Sequence, residues 1–333
     1  MPHNPSYLYR VKKVLDKYYG FWRKVKFNYV LYNLYNYKKL SANRGLYKKY
    51  GLKKHVVVPI SSKDFKGMPE ELPWLDRPDA AVALEKNPGL KQFDTATQEQ
   101  IRRWPEKGYM ILEQFFSEEQ VASVNAEIER LITDKVVDFN FTGRKIMFAH
   151  KHSELLRKIA HDNKLGKLLS FVLGRKVIPF QTINFLKGSE QRAHSDFIHM
   201  TTHPRGNLIA AWIALEDITA DCGPLVYYPG SQRLPYLLNT EYNHGGNSVM
   251  IGEDAYLRYE DEIERRIEEK QLQPTEFHAK KGDVLIWHAN LLHAGNAIKN
   301  ESLTRKSMVV HFYAEGVICY HELTQRPAIV EAV

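Results

Sequence analysis

Gln181-Thr-Ile-Asn-Phe185, Lys187-Gly-Ser-Glu-Gln-Arg192, His194-Ser-Asp196 and Leu208-Ile-Ala-Ala-Trp-Ile-Ala-Leu215 follow one another within 181–215, and their reading decides the fold. The first run reads as a β-strand that enters the His-x-Asp triplet through a short polar link. The last is a continuous apolar run of strand length, the pattern of a buried strand. Working outward, Asp221-Cys-Gly-Pro224 makes a turn into Leu225-Val-Tyr-Tyr228, which Pro229-Gly-Ser231 closes. Lys281-Gly-Asp283 turns into Val284-Leu-Ile-Trp-His288, which leads to Leu291-Leu-His293-Ala-Gly-Asn296, and Arg305-Lys-Ser-Met-Val-Val-His-Phe-Tyr313 is a further strand. Short strands and turns without intervening helical repeats indicate an all-β barrel or sandwich core.

His-x-Asp alone is a weak signal in a chain with 14 histidines, and His199, His203 and His288 are rival ligands nearby. The i, i+2 spacing still matters, because on extended chain both side chains point to one side. His194, Asp196 and a later His293 form a 2-His-1-carboxylate set, which leaves iron positions open for a co-substrate and oxygen. Arg305, 12 residues beyond His293, supplies a planar guanidinium suited to a carboxylate; its plainer reading is a solvated cation at a strand end. The four residues together point to an Fe(II)- and 2-oxoglutarate-dependent oxygenase. His288 and His311 lie inside apolar strands and read as structural. Phe197, His199 and Met200 are either pocket lining or ordinary loop residues.

From about Ile101 to Tyr313 the chain resembles the phytanoyl-CoA dioxygenase family. The resemblance rests on His194-Ser-Asp196, Ala211-Trp-Ile-Ala-Leu-Glu-Asp-Ile218, Gly223-Pro-Leu225, Tyr228-Pro-Gly-Ser231, Lys281-Gly-Asp283, Leu292-His-Ala-Gly295 and Arg305-Lys306, in the family's order. It implies a mainly β domain with flanking helices around a double-stranded β-helix (jelly-roll, cupin-like) core. It also implies Fe(II) held by His194, Asp196 and His293, 2-oxoglutarate paired with Arg305, and O2 as the oxidant, with succinate and CO2 released. Trp212 matches a tryptophan lining the co-substrate pocket, although core packing explains it as well, and Gln181 lies on a strand that contributes a further co-substrate contact. Related halogenases have a small residue in place of the carboxylate, so Asp196 favours hydroxylation. The family often has a hydroxyl residue where this chain has Gly295. The rival reading is a non-catalytic double-stranded β-helix that binds or scaffolds. The substrate class stays open among small molecules, lipids and glycans.

A chain of 333 residues suits one large β domain with helical decoration. Two cysteines, Cys222 and Cys319, form no disulfide scaffold, and neither a signal peptide nor an apolar run of membrane-spanning length is evident; cytoplasm is the expectation. The net charge of +8 is uneven. Residues 1–54 hold 14 Lys/Arg against Asp16 alone, a net of +13, leaving −5 for the remainder, and they carry 10 of 19 tyrosines. Tyr7 to Trp22 has apolar residues at helical period. That helix either lies on an anionic membrane surface or packs its tyrosines on the β domain; nucleic acid is a weaker third partner, with no recognised module to bind it.

The organisation expected is a basic, aromatic-rich helical extension over 1–58, an irregular linker over 59–94, and the oxygenase domain over 95–333. Thr95–Trp104 reads as a helix and Gly108–Glu113 as an edge strand. Ser117 opens a capping box ahead of the stripe Val121, Val124, Ile128, Leu131 and Ile132. Ser153–Val172 reads as one further helix ended by Gly174. An insertion over about 234–277 carries a charged helix, Tyr259–Lys270, with Glu262 and Arg266 paired on a solvated face; a long insertion near a site is often a lid.

Overall fold

The run Leu208–Ala214 is apolar throughout because both its faces are covered. Ala210, Trp212 and Ala214 enter one hydrophobic layer, while Ile209, Ala211 and Ile213 enter another. A computed structural model of the chain describes residues 24–140, 142–247 and 249–329. In chain order its strands are β1 (Tyr109–Leu112), β2 (Ile146–Met147), β3 (Val177–Phe185), β4 (Thr201–His203), β5 (Leu208–Ala214), β6 (Leu225–Tyr227), β7 (Thr275–Phe277), β8 (Val284–His288), β9 (His293–Gly295), β10 (Ser307–Ala314), β11 (Ile318–His321) and β12 (Arg326–Pro327). The large sheet runs β1-β8-β5-β10-β3-β2, all antiparallel, and a smaller one runs β7-β6-β9.

Between these two sheets lies an inner layer in which Phe185, Trp212, Trp287 and Val309 meet Leu225, Tyr227 and Phe277. His194 and His293 exchange backbone hydrogen bonds of 3.0 and 2.9 Å, which fastens the His-x-Asp stretch to the smaller sheet. This is the double-stranded β-helix that the sequence led us to expect. A third sheet, β12-β11-β4, extends it.

Helices close the outer face of the large sheet. Ile101 and Trp104 of helix Thr95–Lys107, Val121, Val124 and Leu131 of helix Glu118–Thr133, and Leu165 and Leu169 of helix Asn163–Leu173 pack with Met308, Val310 and Phe312. Ser117 forms the reciprocal capping box with Gln120. The single helix expected over Ser153–Val172 is two, Glu154–Ala160 and Asn163–Leu173. Asp162 divides them because its carboxylate accepts the Leu165 amide at 2.9 Å and so starts a new helix. Gly174 ends the second with φ 67°.

Residues 59–94 do not span open space. They carry the short helix Ala80–Lys86 and three 3-10 turns, and Leu75, Leu84 and Leu90 are part of the main core. The reason lies in apolar residues scattered among the prolines, each of which finds the outer layer. In the described part of the extension, Leu40, Tyr47 and Val56 pack against Ile318 and Tyr320 of β11, and the Tyr50 hydroxyl donates to the Gly316 carbonyl at 2.9 Å. The helix read over residues 7–22 lies outside the described residues. The insertion links β6 to β7 and folds a helix at Ala255–Glu269. Its Glu262–Arg266 pair is part-buried rather than solvated, because Arg266 also donates to the Pro235 carbonyl at 2.7 Å.

Candidate metal centre

His194 leaves the extended link 187–192 just where backbone pairing with β9 begins, so its ring and that of His293 face each other with centroids 4.4 Å apart. The Nδ1 of His194 lies 2.9 Å from the Arg192 carbonyl oxygen, and that of His293 lies 3.1 Å from the Leu291 carbonyl oxygen. A carbonyl can only accept, so both Nδ1 atoms carry the proton and both Nε2 atoms offer a lone pair. Burial lowers the pKa of each ring, which keeps both neutral. Asp196 opens a short 3-10 turn. Its Oδ2 accepts from the Trp287 indole at 2.7 Å and lies 3.3 Å from His311 Nε2, while Oδ1 stands 3.7 Å from His293 Nε2. Burial alone would raise this carboxyl, but the net shift is downward, toward the ionised form, with the Trp287 indole and the His311 ring both within reach of Oδ2. One ligand atom from each of His194, Asp196 and His293 lies within 4.8 Å of the others, a set able to hold one ion. Two neutral imidazoles and a carboxylate suit a divalent first-row metal and leave part of its coordination sphere open.

Behind that centre, Arg305 is 2% exposed, and among the described residues no acidic side chain pairs with it. Its guanidinium lies over the rings of Phe185 (5.2 Å) and Trp212 (5.7 Å), and one terminal nitrogen reaches Ser307 Oγ at 3.4 Å. Burial pulls it down to about 10, so it remains charged at neutral pH. The Nε of Arg305 and the indole nitrogen of Trp212 are both buried donors without an acceptor. An unpaired buried cation beside an unpaired N–H is costly unless a carboxylate-bearing ligand completes it. The solvated-cation reading of Arg305 is therefore overturned, and Trp212 is packed in the core with its indole N–H unpaired.

A cavity of about 1410 Å³ is lined by His194 and Asp196, with Gln181, His199 and Met200 also on its wall. Gln181 sits opposite His311 across the β3–β10 pairing. Phe197, by contrast, is buried in the core against Tyr236, with centroids 4.3 Å apart. Among the rival histidines, His203 stacks on Phe65 and His288 meets Asp76 at 2.9 Å, both away from the centre. His199 lines the cavity, and burial first, then His321 and Lys145, pushes it down to about 3.

Several residues of the site escaped the sequence reading. His311 was read as structural, yet it touches Asp196; the period-2 face Arg305, Ser307, Val309, His311 is the signal that placed it inside. Trp287 shares the inner face with Leu285 in the same way. Lys145 donates to Gln191 Oε1 at 2.8 Å, and the Gln191 amide reaches both His194 Nε2 (3.2 Å) and the Tyr256 hydroxyl (2.9 Å). The Tyr259 hydroxyl accepts from the Ser195 amide at 3.0 Å, and Arg192 pairs with Asp261 and Glu264 at 2.7 and 2.6 Å. The insertion helix is thus fastened to the His-x-Asp stretch, a contact no local pattern encodes. Gly295 has no room for a side chain: a Cβ there would collide with Ser189 Oγ. That crowding accounts for the missing hydroxyl residue, and Ser189 brings a hydroxyl to the same place.

Trp287→Phe removes the indole donor to Asp196 while keeping the ring. We expect metal affinity to fall about 10–100-fold, the usual cost of losing such a partner, read by metal titration; unchanged affinity would show that the indole does not orient the carboxylate.

The chain is similar to several known proteins. Residues 104–307 match the family model for phytanoyl-CoA dioxygenase. An ectoine dioxygenase from Bordetella bronchiseptica is 25% identical over 255 residues, covering 69% of this chain and 81% of that protein. The peroxisomal phytanoyl-CoA dioxygenase of Bos taurus is 21% identical over 240 residues, covering 64% of this chain and 67% of that protein. In fold, the chain is similar to EctD from S. alaskensis solved with 2-oxoglutarate and 5-hydroxyectoine (TM-score 0.53, 21% identity, 67% of this chain and 78% of that one). It is also similar to the carbocyclase SnoK from nogalamycin biosynthesis (TM-score 0.55, 18% identity, 69% and 87%). The match covers more than half of the sequence, and the chain belongs to the phytanoyl-CoA dioxygenase family of iron- and 2-oxoglutarate-dependent oxygenases.

Proposed function

We propose that the protein hydroxylates an unactivated C–H bond of an organic substrate held in the cavity, one O2 and one 2-oxoglutarate being converted with R–H to R–OH, succinate and CO2. The observation that carries this reading is the pairing of two incomplete sites: a His/Asp/His set with open metal positions, and a buried guanidinium and indole with no anion to satisfy them. A binding or scaffold module has no physical need for both.

His194, Asp196 and His293 are the residues that would hold Fe(II); the metal, once bound, supplies the site at which oxygen is activated. Asp196 would supply the one negative charge of the set, with Oδ1 not engaged by Trp287 or His311. Arg305 and Trp212 would receive the distal carboxylate of 2-oxoglutarate, since each offers a buried donor without an acceptor and the Arg305 guanidinium lies over the Trp212 ring. The Gln191 amide now meets both His194 Nε2 and the Tyr256 hydroxyl, and it would keep the hydroxyl alone where His194 holds Fe(II). Gln181, on the cavity wall, would contact co-substrate or substrate. The substrate itself is of small-molecule, lipid or glycan type.

Anaerobic addition of Fe(II) and 2-oxoglutarate is expected to give the weak visible band of chelated iron, followed by succinate on admission of O2. No band at saturating ligand would refute the reading.

A further inference from the structure

The helix Lys26–Tyr35 has its polarity reversed. Lys26 and Asn33 are buried, with Lys26 Nζ donating to the Asn247 carbonyl and the Asn33 amide to the Val57 carbonyl at 2.9 Å. Its outward stripe is apolar: Phe27 is 61% exposed, Leu31 50%, Leu34 51% and Tyr35 89%. These residues fall at i, i+4, i+7 and i+8, one face of a helix. An outward apolar stripe on a helix that turns its lysine and asparagine inward calls for a covering partner.

Charge says which partner. Between residues 24 and 63 there are ten Lys/Arg and no Asp or Glu. Lys38, Lys39, Lys48, Lys49 and Lys53 are exposed. Lys24 pairs with Glu253 and Lys54 with Asp64, but Lys38 and Lys39 follow the stripe directly on the next helix, and aromatic and aliphatic residues beside exposed lysines match a lipid surface of anionic headgroups. Position supports the same partner. Tyr29, Tyr32 and Asn36 line the cavity in front of the metal centre, and Arg326 lies over both tyrosine rings at 5.9 and 5.5 Å. The helix start is also bridged to the insertion, Val25 to Met250, with Lys24 paired to Glu253 at 2.6 Å. The outer face and the cavity wall are therefore two sides of one element. Among the described residues no helix is long and apolar enough to cross a membrane, so the contact is with its surface.

We infer that the stripe Phe27, Leu31, Leu34 and Tyr35, with its lysine frame, seats the protein on an anionic lipid surface and brings the mouth of the cavity to that surface, where an amphiphilic substrate is presented. The docking does not depend on the hydroxylation reading and is measured without turnover.

The full chain is mixed with vesicles of phosphatidylcholine alone or of equimolar phosphatidylcholine and phosphatidylglycerol, then floated. Wild type is expected to rise with the anionic vesicles only. Phe27→Ser/Leu31→Ser/Leu34→Ser is expected to lower the bound fraction about tenfold or more, as is the charge variant Lys38→Glu/Lys39→Glu. Unchanged melting temperature and an unchanged iron–2-oxoglutarate band in both variants show that fold and metal centre are intact. Three results would overturn the proposal: wild type fails to float, the serine variant floats as well as wild type, or the stripe proves to hold two copies together, seen as a dimer that the serine variant converts to monomer.

Discussion

Asp196→Ala is expected to leave a folded protein that neither retains Fe(II) through gel filtration nor forms succinate at iron concentrations that saturate wild type. The two imidazoles that remain are neutral, so the substitution removes the only anionic ligand in the set. It also leaves the Trp287 indole and His311 pointing at a hole with no acceptor, in a site where all three side chains are buried. The loss should exceed the roughly 10–100-fold that an orienting partner costs. Iron content by metal analysis and the melting curve of the metal-free protein separate loss of the ligand from loss of the fold. A variant that keeps stoichiometric iron and forms succinate would place the metal elsewhere.

Arg305 predicts a pair of opposite effects. Removing one partner of a buried, hydrogen-bonded charge pair costs about 2–5 kcal/mol. Arg305→Met should therefore raise the 2-oxoglutarate needed for half-saturation by roughly thirtyfold to a few thousandfold. In the free protein, however, the guanidinium is buried between Phe185 and Trp212 without an anion, and an uncompensated buried charge destabilises. The same variant should melt no lower than wild type when co-substrate is absent, and should lose the rise in melting temperature that 2-oxoglutarate gives wild type through linkage. A variant that binds 2-oxoglutarate like wild type would take Arg305 out of the pocket. One that binds weakly and also melts early would make the effect structural.

The parts of this protein legible in its sequence are those with local periodicity. The fully apolar run Leu208–Ala214 announced a strand covered on both faces, and the Ser117 capping box gave a helix start that the structure reproduces. His194, Asp196 and His293 were readable because spacing and order carry chemistry as well as shape. What stayed hidden was set by long-range contact. Tyr259 meets Ser195 across 64 positions, and Trp287 meets Asp196 across 91; neither pairing leaves a trace near its own residue. Residues 59–94 misled for the opposite reason: proline and charge dominate the composition, while Leu75, Leu84 and Leu90 do the packing.

The fastening of the insertion helix to the metal motif also bears on how such enzymes change what they act upon. Surface loops between strands are usually the exchangeable parts of a barrel, which makes grafting a foreign segment in place of 234–277 the obvious route to a new specificity. Here that graft would strip Ser195 and Arg192 of Tyr259, Asp261 and Glu264 and loosen the stretch that bears His194 and Asp196. The transferable unit is the segment together with residues 187–196, and lineages that diversify this scaffold should vary the two in concert.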